Sequence, residues 1–281
     1  MRIHAIQTGT VAIRERQRAG TGPGPARPLL TLADRRWTEP LPILAWVVEH
    51  PDGLILVDTG ETARAAERGY FPAWNPYFRF GARMQVTPAQ EVGPQLEALG
   101  FSPADVRTVV LTHLHTDHAG GLHHFPDSEL LVSRTELGLA TGRLAKVLGY
   151  LPHRWPAWFA PRAVEFEDGP FGPFERSHAL AEGVTLVPTP GHTPGHLSVV
   201  VRSEQGSVFL AGDTSYTQDL MLAGVADGVT TSPATDRDSL RRIRELARSE
   251  PTVYVPTHDP DAPRRLEAME AVGSPRADPH R

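Results

Sequence analysis

The sequence predicts an α/β protein arranged as a four-layer αββα sandwich, and three observations point there. Two distant segments, "VVEHPDGLILVDTG" (47–60) and "VVVRSEQGSVFLAGDT" (199–214), share one pattern: a β-rich run, a polar turn with Gly53 or Gly206, a second apolar run, then Asp-Thr. This is how a hairpin with one fully buried strand reads. Helix signals lie between and after these β-rich halves. Three further β-rich runs end in threonine and a histidine: "TVVLTH" at His113, "VTLVPTPGH" at His192 and "TVYVPTH" at His258. Strand ends in a layered α/β fold converge on one rim, so histidines far apart in sequence can meet in space.

Along the chain, residues 16–40, "RQRAGTGPGPARPLLTLADRRWTEP", carry too much glycine and proline for a regular element and are expected as an extended loop. The likeness of the two hairpin segments reads either as an internal duplication or as two ordinary hairpins. Residues 63–85 place Tyr70, Phe71, Trp74, Tyr77, Phe78 and Phe80 in a turn-rich setting, read as a second elaborated loop. In "TPAQEVGPQLEALG", Thr87 is the expected N-cap, Pro88 the first helical residue, Gln90 its capping-box partner and Gly100 the stop. Val92, Leu96 and Leu99 would share one buried face. A third elaborated segment, 138–178, adds Tyr150, Trp155, Trp158 and Phe159, with a short helix expected over 136–148. "DRDSLRRIRELARSEP" spaces Leu240, Ile243 and Leu246 for one buried helical stripe, with Pro251 just beyond its end. Residues 1–270 are expected as one domain, and 271–281 as a disordered tail.

Net charge is −5 over 281 residues and the basic residues are scattered, which disfavours a nucleic-acid backbone or an anionic membrane surface as partner. The first twenty residues lack the apolar core of a signal peptide, and no run of about 18 apolar residues exists for a membrane span. A cytoplasmic location is the default expectation. The absence of cysteine removes thiolate metal sites and leaves histidine and carboxylate as transition-metal ligands.

Against that background the stretch "THLHTDHAGG" (112–121) stands out: His113, His115, Asp117 and His118 fall within six positions. Offsets of 0, 2, 4 and 5 do not share one side of a 3.6-residue helix, so the stretch is read as an extended segment at the rim. His113 and His115 then point the same way, while a turn at Asp117–His118 aims the next two groups at a second point, and two adjacent metals follow.

With "TPGHTPGH", "LAGDTSY" and "VPTHD", the stretch resembles the metallo-β-lactamase superfamily of binuclear metallohydrolases, from about Ile43 to His258. The resemblance implies that fold and two divalent ions, zinc being the first expectation and cobalt, manganese or iron the others. His113, His115 and His192 would bind one ion, Asp117, His118 and His258 the other, and Asp213 would bridge them. Asp58 and His196 would support the ligand loops from behind. Tyr216, three residues after Asp213, makes the N-acyl homoserine lactonases the nearest likeness, because that branch places a substrate-binding tyrosine there. The implied reaction opens the lactone ring by attack of a hydroxide shared by the two ions, with Tyr216 stabilising the oxyanion and Asp117 moving a proton to the leaving alkoxide.

An acylated lactone needs an apolar groove, and Trp37, Tyr70, Phe71, Trp74, Tyr150, Trp155 and Trp158 are the candidates; each equally suits core packing or a homodimer contact. Thioesterases of the glyoxalase II kind and organophosphate hydrolases would keep the same seven ligands. The former needs clustered basic residues for glutathione, and the latter does not require Tyr216. A di-iron redox protein of this fold has glutamate where His115 stands.

Overall fold

The computed structural model describes residues 1–203, 206–230 and 232–274. Its strands are β1 (Arg2–Ile13), β2 (Leu41–His50), β3 (Gly53–Val57), β4 (Ala82–Gln85), β5 (Val106–Val110), β6 (Glu129–Ser133), β7 (Arg162–Val164), β8 (His178–Ala181), β9 (Val184–Pro188), β10 (Leu197–Ser203), β11 (Gly206–Gly212) and β12 (Thr252–Pro256). One sheet runs β4-β1-β2-β3-β5-β6-β7 and the other β12-β11-β10-β9-β8. The helices are α1 (Glu15–Arg18), α2 (Arg27–Ala33), α3 (Val92–Ala98), α4 (Thr116–Ala119), α5 (Arg134–Ala140), α6 (Gln218–Ala223), α7 (Pro233–Ser249) and α8 (Ala262–Glu267).

Period-two alternation decides the layering. In β2 and β3, Leu44, Trp46, Val48, Ile55 and Val57 face Leu186, Val199, Leu210 and Val255 of the other sheet, forming the core between the sheets. Ala45, Val47, Leu54 and Leu56 point the opposite way, onto Val92 and Leu96 of α3. The second sheet's outer face, with Val187, Val200 and Phe209, is covered by Leu240, Ile243 and Leu246 of α7. The layers are therefore helix, sheet, sheet, helix, as expected. Both hairpins form: β2 pairs antiparallel with β3, and β10 with β11. Leu96→Ala should cost about 2–5 kcal/mol, the usual scale for emptying a tightly packed leucine site. The check is a lower denaturant midpoint at unchanged slope.

Several local expectations are corrected. Residues 16–40 are not an extended loop throughout, since they contain most of α1 and all of α2, with Pro28 inside the first turn of α2 where a missing N–H costs nothing. This segment docks on a loop from the far end of the chain: Arg27 Nη1 donates to the carbonyls of Ala226 (3.0 Å) and Asp227 (2.6 Å), and Thr31 Oγ1 to Gly228 (3.0 Å). In the aromatic stretch 63–85, β4 pairs with β1. The helix expected from Thr87 is split into a 3₁₀ turn at Pro88–Gln90, which carries the capping box, and α3, whose cap residue is Glu91; Leu99 ends up exposed. The helix over 136–148 is shorter, ending at Ala140. Of the expected tail, 275–281 lie outside the described residues, and 271–274 form a turn. No helix among the described residues is long and apolar enough to cross a membrane.

Candidate metal centre

Since β3 runs parallel to β5, β11 parallel to β12, and β9 in the same sense as β11, the carboxyl ends of these five strands open onto one rim. Asp58 follows β3, His113 β5, His192 β9, Asp213 β11 and His258 β12. His115 keeps extended backbone (φ −66, ψ 160), but the chain then enters α4. Asp117 and His118 thus sit on one helical turn, not on the fully extended segment expected. The amides of His118 and Ala119 both donate to the His115 carbonyl at 3.1 Å, and this tight turn redirects the two side chains. The glycines that close the stretch allow a tight backbone approach: a Cβ on Gly121 would stand 2.3 Å from the Thr59 carbonyl oxygen.

The seven groups converge. His113, His115 and His192 place ligand atoms within 4.8 Å of one another, as do His113, His118 and Asp213, and also Asp117, His118 and His258. Asp213 stands in the middle: Oδ1 is 3.3 Å from His118 Nε2, while Oδ2 is 3.3 Å from His258 Nε2 and 3.6 Å from His192 Nε2. Asp117 Oδ2 lies 3.5 Å from His258 Nε2.

What fits these groups to cations is the state of the rings. Each imidazole commits one nitrogen outward as a donor: His118 Nδ1 to Asp58 (2.8 Å), His192 Nδ1 to Asp227 (2.5 Å), His258 Nδ1 to the Pro42 carbonyl (2.8 Å) and His115 Nε2 to the Leu148 carbonyl (3.2 Å). His113 Nδ1 donates to Thr112 Oγ1 at 3.1 Å, because that hydroxyl spends its own proton on Asp58. In the neutral rings the other nitrogens are bare lone pairs aimed inward. His115 Nδ1 lies 3.1 Å from both His113 Nε2 and His192 Nε2, a separation at which lone pairs repel unless a cation lies between them. His118 Nε2 and Asp213 Oδ1 are buried without a hydrogen-bond partner among the described residues. Outer partners that fix the tautomer and orient the ring are the usual support of metal-binding histidine.

The charges agree. Burial lowers His113 well below its ordinary value and brings His115 down to about 4, with neighbouring histidines adding to the effect. At His192 burial also opposes charge, but Asp227 and Asp213 outweigh it and raise the ring to about 9. His118 and His258 are likewise raised against burial, with Asp213 the leading carboxylate. Protons and divalent cations therefore compete for one set of lone pairs, and metal binding would release protons.

The supporting residues take two forms, those expected and those that sequence reasoning missed. Asp58 has φ +62, a left-handed conformation that aspartate tolerates better than most residues, and its carboxylate accepts from Thr112 N–H, Thr112 Oγ1 and His118 Nδ1, all at 2.8 Å. His196 Nε2 accepts the Asp213 amide at 3.0 Å, and burial holds that ring down at about 3. Asp227 was missed, as was Glu136, whose oxygens accept Leu114 N–H (3.1 Å) and Thr193 Oγ1 (2.8 Å), tying the His113 loop to the His192 loop. An isolated acid carries no local signature, whether in a loop like Asp227 or in the first turn of a helix like Glu136, so neither could be found from spacing.

Tyr216 lies at the cluster, its ring stacked on His258 with centroids 5.4 Å apart. Its hydroxyl accepts from Gln17 Nε2 at 2.9 Å, and the same amide donates to the Tyr77 hydroxyl at 2.9 Å. Gln17 and Tyr77 were also missed. The seven groove candidates do not gather in one place. Tyr70 and Trp155 line a cavity of about 290 Å³ together with Thr62, Thr116, His123 and Leu151. Tyr150 is buried against His115, and Trp37 is held between the Arg14 and Arg83 guanidinium groups. Phe71 stacks on Phe78, whereas Trp74 and Trp158 are exposed.

Comparison with known proteins bears on this geometry. The sequence profile described as "Metallo-beta-lactamase superfamily" matches residues 38–258. The chain is 34% identical over 240 residues to "Probable metallo-hydrolase Rv2300c" of Mycobacterium tuberculosis, covering 76% of this chain and 74% of that protein. It is 31% identical over 226 residues to N-acyl homoserine lactonase AiiA of Bacillus thuringiensis subsp. kurstaki, covering 78% and 82%. Among solved structures, an N-acyl homoserine lactone hydrolase with the product N-hexanoyl-L-homoserine bound at its catalytic metal centre matches with a TM-score of 0.75 and 25% identity, over 92% of this chain and 93% of the other. A profile spanning most of the sequence, a shared fold and a rim of inward-facing imidazoles and carboxylates lead to one conclusion: the chain belongs to the metallo-beta-lactamase superfamily, as one of its metal-dependent hydrolases.

Proposed function

We propose that the protein hydrolyses N-acyl homoserine lactones to the ring-opened acids, using two divalent ions, zinc in the first instance. The observation that carries this reading is Tyr216. It stacks on His258 at the edge of the seven-group cluster, and because its oxygen accepts from Gln17, its own O–H is left to donate to a substrate oxygen. The relatives and the matching structure named for N-acyl homoserine lactones support the same substrate class.

In this reading His113, His115 and His192 hold one ion, Asp117, His118 and His258 the other, and Asp213 serves both. When bound, such a pair supplies hydroxide at neutral pH by lowering the pKa of water from about 15.7 toward 7, and polarises a carbonyl. Asp58, Asp227, His196 and Thr112 keep the ligand side chains in register. Tyr216 donates a hydrogen bond to the lactone carbonyl oxygen as negative charge grows there; removing one such donor commonly costs about 10²–10³ in rate. Asp117, at the more open side of the cluster, carries a proton to the alkoxide that leaves as the ring opens. The acyl tail follows the cavity walled by Tyr70 and Trp155, whose Thr116 directly precedes Asp117.

The test is hydrolysis of an N-acyl homoserine lactone, a thioester and a phosphotriester by one metal-loaded preparation. The lactone should be the best substrate, and Tyr216→Phe should lower its kcat/KM by about tenfold or more at unchanged metal content. Lactone turnover no faster than that of the other two, or indifferent to Tyr216→Phe, overturns the substrate assignment.

A further inference from the structure

The segment that carries His113 to His118 runs on into a second group of imidazoles. After α4 the chain makes a 3₁₀ turn at Leu122–His124, and both of its histidines direct Nε2 at the same oxygen of Glu91. Glu91 Oε2 is 3.1 Å from His123 Nε2 and 2.8 Å from His124 Nε2. The other oxygen, Oε1, is already engaged, accepting from Thr62 Oγ1 at 3.0 Å and from the Ala63 amide at 2.8 Å. The carboxylate is thus locked from behind with one oxygen presented to two rings, the arrangement of a supported metal ligand. His124 lies close against the start of α3, where a Cβ on Gly93 would stand 2.5 Å from its Nδ1; glycine there makes room for the ring.

Two neutral rings could each donate Nε2–H to this oxygen, and a cation could equally take the place of those two protons. The two ring centroids are 4.1 Å apart, so both rings cannot be charged without strong mutual repulsion, and one carboxylate oxygen is shared by two imidazoles. A single divalent ion replaces both protons. The three ligand atoms lie within 4.8 Å of one another. Tetrahedral zinc, with bonds of about 2.0–2.2 Å, sets its ligand atoms about 3.3 Å apart, so the two separations from Glu91 Oε2 need open by only a few tenths of an ångström. Two histidines and one glutamate with a fourth position left for water or ligand is a donor set zinc uses elsewhere. The side chain of His123 is 45% exposed and lines the cavity shared by Thr62, Tyr70 and Trp155, which leaves a path for the ion to enter.

We propose that Glu91, His123 and His124 form a further binding site for one exchangeable zinc-class ion, distinct from the paired centre at the strand tips. An ion there cross-links the amino end of α3, the turn after α4 and, through Glu91 Oε1, the Thr62–Ala63 backbone, all on one side of the cavity.

The experiment equilibrates the holoprotein with zinc alone at a series of buffered free concentrations and counts bound ions per chain by elemental analysis. His123→Ala and His124→Asn should each bind one ion fewer than the unaltered protein while retaining the more tightly held ions. With cobalt as probe, the absorbance of the last ion to load should be missing in both variants. Retention of the tight ions shows that each variant is folded. Equal zinc content in all three proteins at every free concentration overturns the proposal and leaves the cluster as a hydrogen-bonded ion pair; because the readout is a difference of one ion, it does not depend on the chemistry of the main centre.

Discussion

Replacing Asp213 with alanine is expected to release both ions from the strand-tip centre and to lower lactone hydrolysis by about 10³-fold or more, at or beyond the upper end for removing a single preorganised electrostatic group. Its two oxygens divide, Oδ1 toward His118 and Oδ2 toward His192 and His258, so in the proposed two-ion assignment one substitution would strip a ligand from both positions. The loss is also electrostatic. Asp213 is held as an anion, well below its ordinary pKa against the cost of burial, by His258 and His118, and without it the inward lone pairs have only Asp117 beside them to balance a divalent pair. Elemental analysis and a proton-release assay on the same preparation check the result. Two retained ions with undiminished turnover would remove Asp213 from the centre altogether.

The second large effect is expected at a residue that touches no substrate. Asp58 accepts three hydrogen bonds at 2.8 Å, and it alone orients His118 from behind through Nδ1. Asparagine tolerates the φ of +62 at this position, so Asp58→Asn isolates the chemistry from the backbone. One of its two acceptors becomes an NH₂ group, which must face either the Thr112 amide or both the Thr112 hydroxyl and the His118 Nδ1–H. A buried donor against a buried donor costs roughly 1–3 kcal/mol of stability, and losing the outer partner of a metal-binding histidine typically costs 10–100-fold in metal affinity. Thermal unfolding with and without zinc separates the two: the metal-induced rise in Tm should shrink more than the metal-free Tm falls. An unchanged zinc affinity would show that His118 does not depend on Asp58.

How far the sequence could be read depended on the range over which each feature is encoded. Four of the seven converging groups sit within six residues, His192 and His258 follow β-rich runs that close on threonine, and Asp213 opens an Asp-Thr pair after a third; that information is local and survives without a structure. The sandwich was legible for the same reason, because two similar β-rich hairpin segments and the helix signals between and after them are each written in a short stretch. What lay hidden is supplied across the fold. Asp227 meets His192 across 35 residues, and Gln17 meets Tyr216 across 199, with nothing nearby to mark either residue. The one helical turn at α4 was concealed because its backbone geometry is set by the His115 carbonyl accepting two amides, not by any apolar periodicity. The helices within 16–40 were masked by glycine and proline, whose breaking tendency is overridden by the Arg27 and Thr31 contacts to residues 226–228. The aromatic residues were legible as a class but not by position, since Trp37 was claimed by two arginines and Phe71 by Phe78.

The docking of that amino-terminal segment sets an order on the protein's manufacture. Arg27 leaves the ribosome about 200 residues before the carbonyl it grips, and at synthesis rates of roughly 5–20 residues per second the interval is about 10–40 s. Throughout it the first helices lack the part of their seat formed by residues 226–228, and Gln17 has no Tyr216 to hold. The helices of residues 15–33 are thus made early yet complete their docking late, and the step that seats them also brings Gln17 to Tyr216.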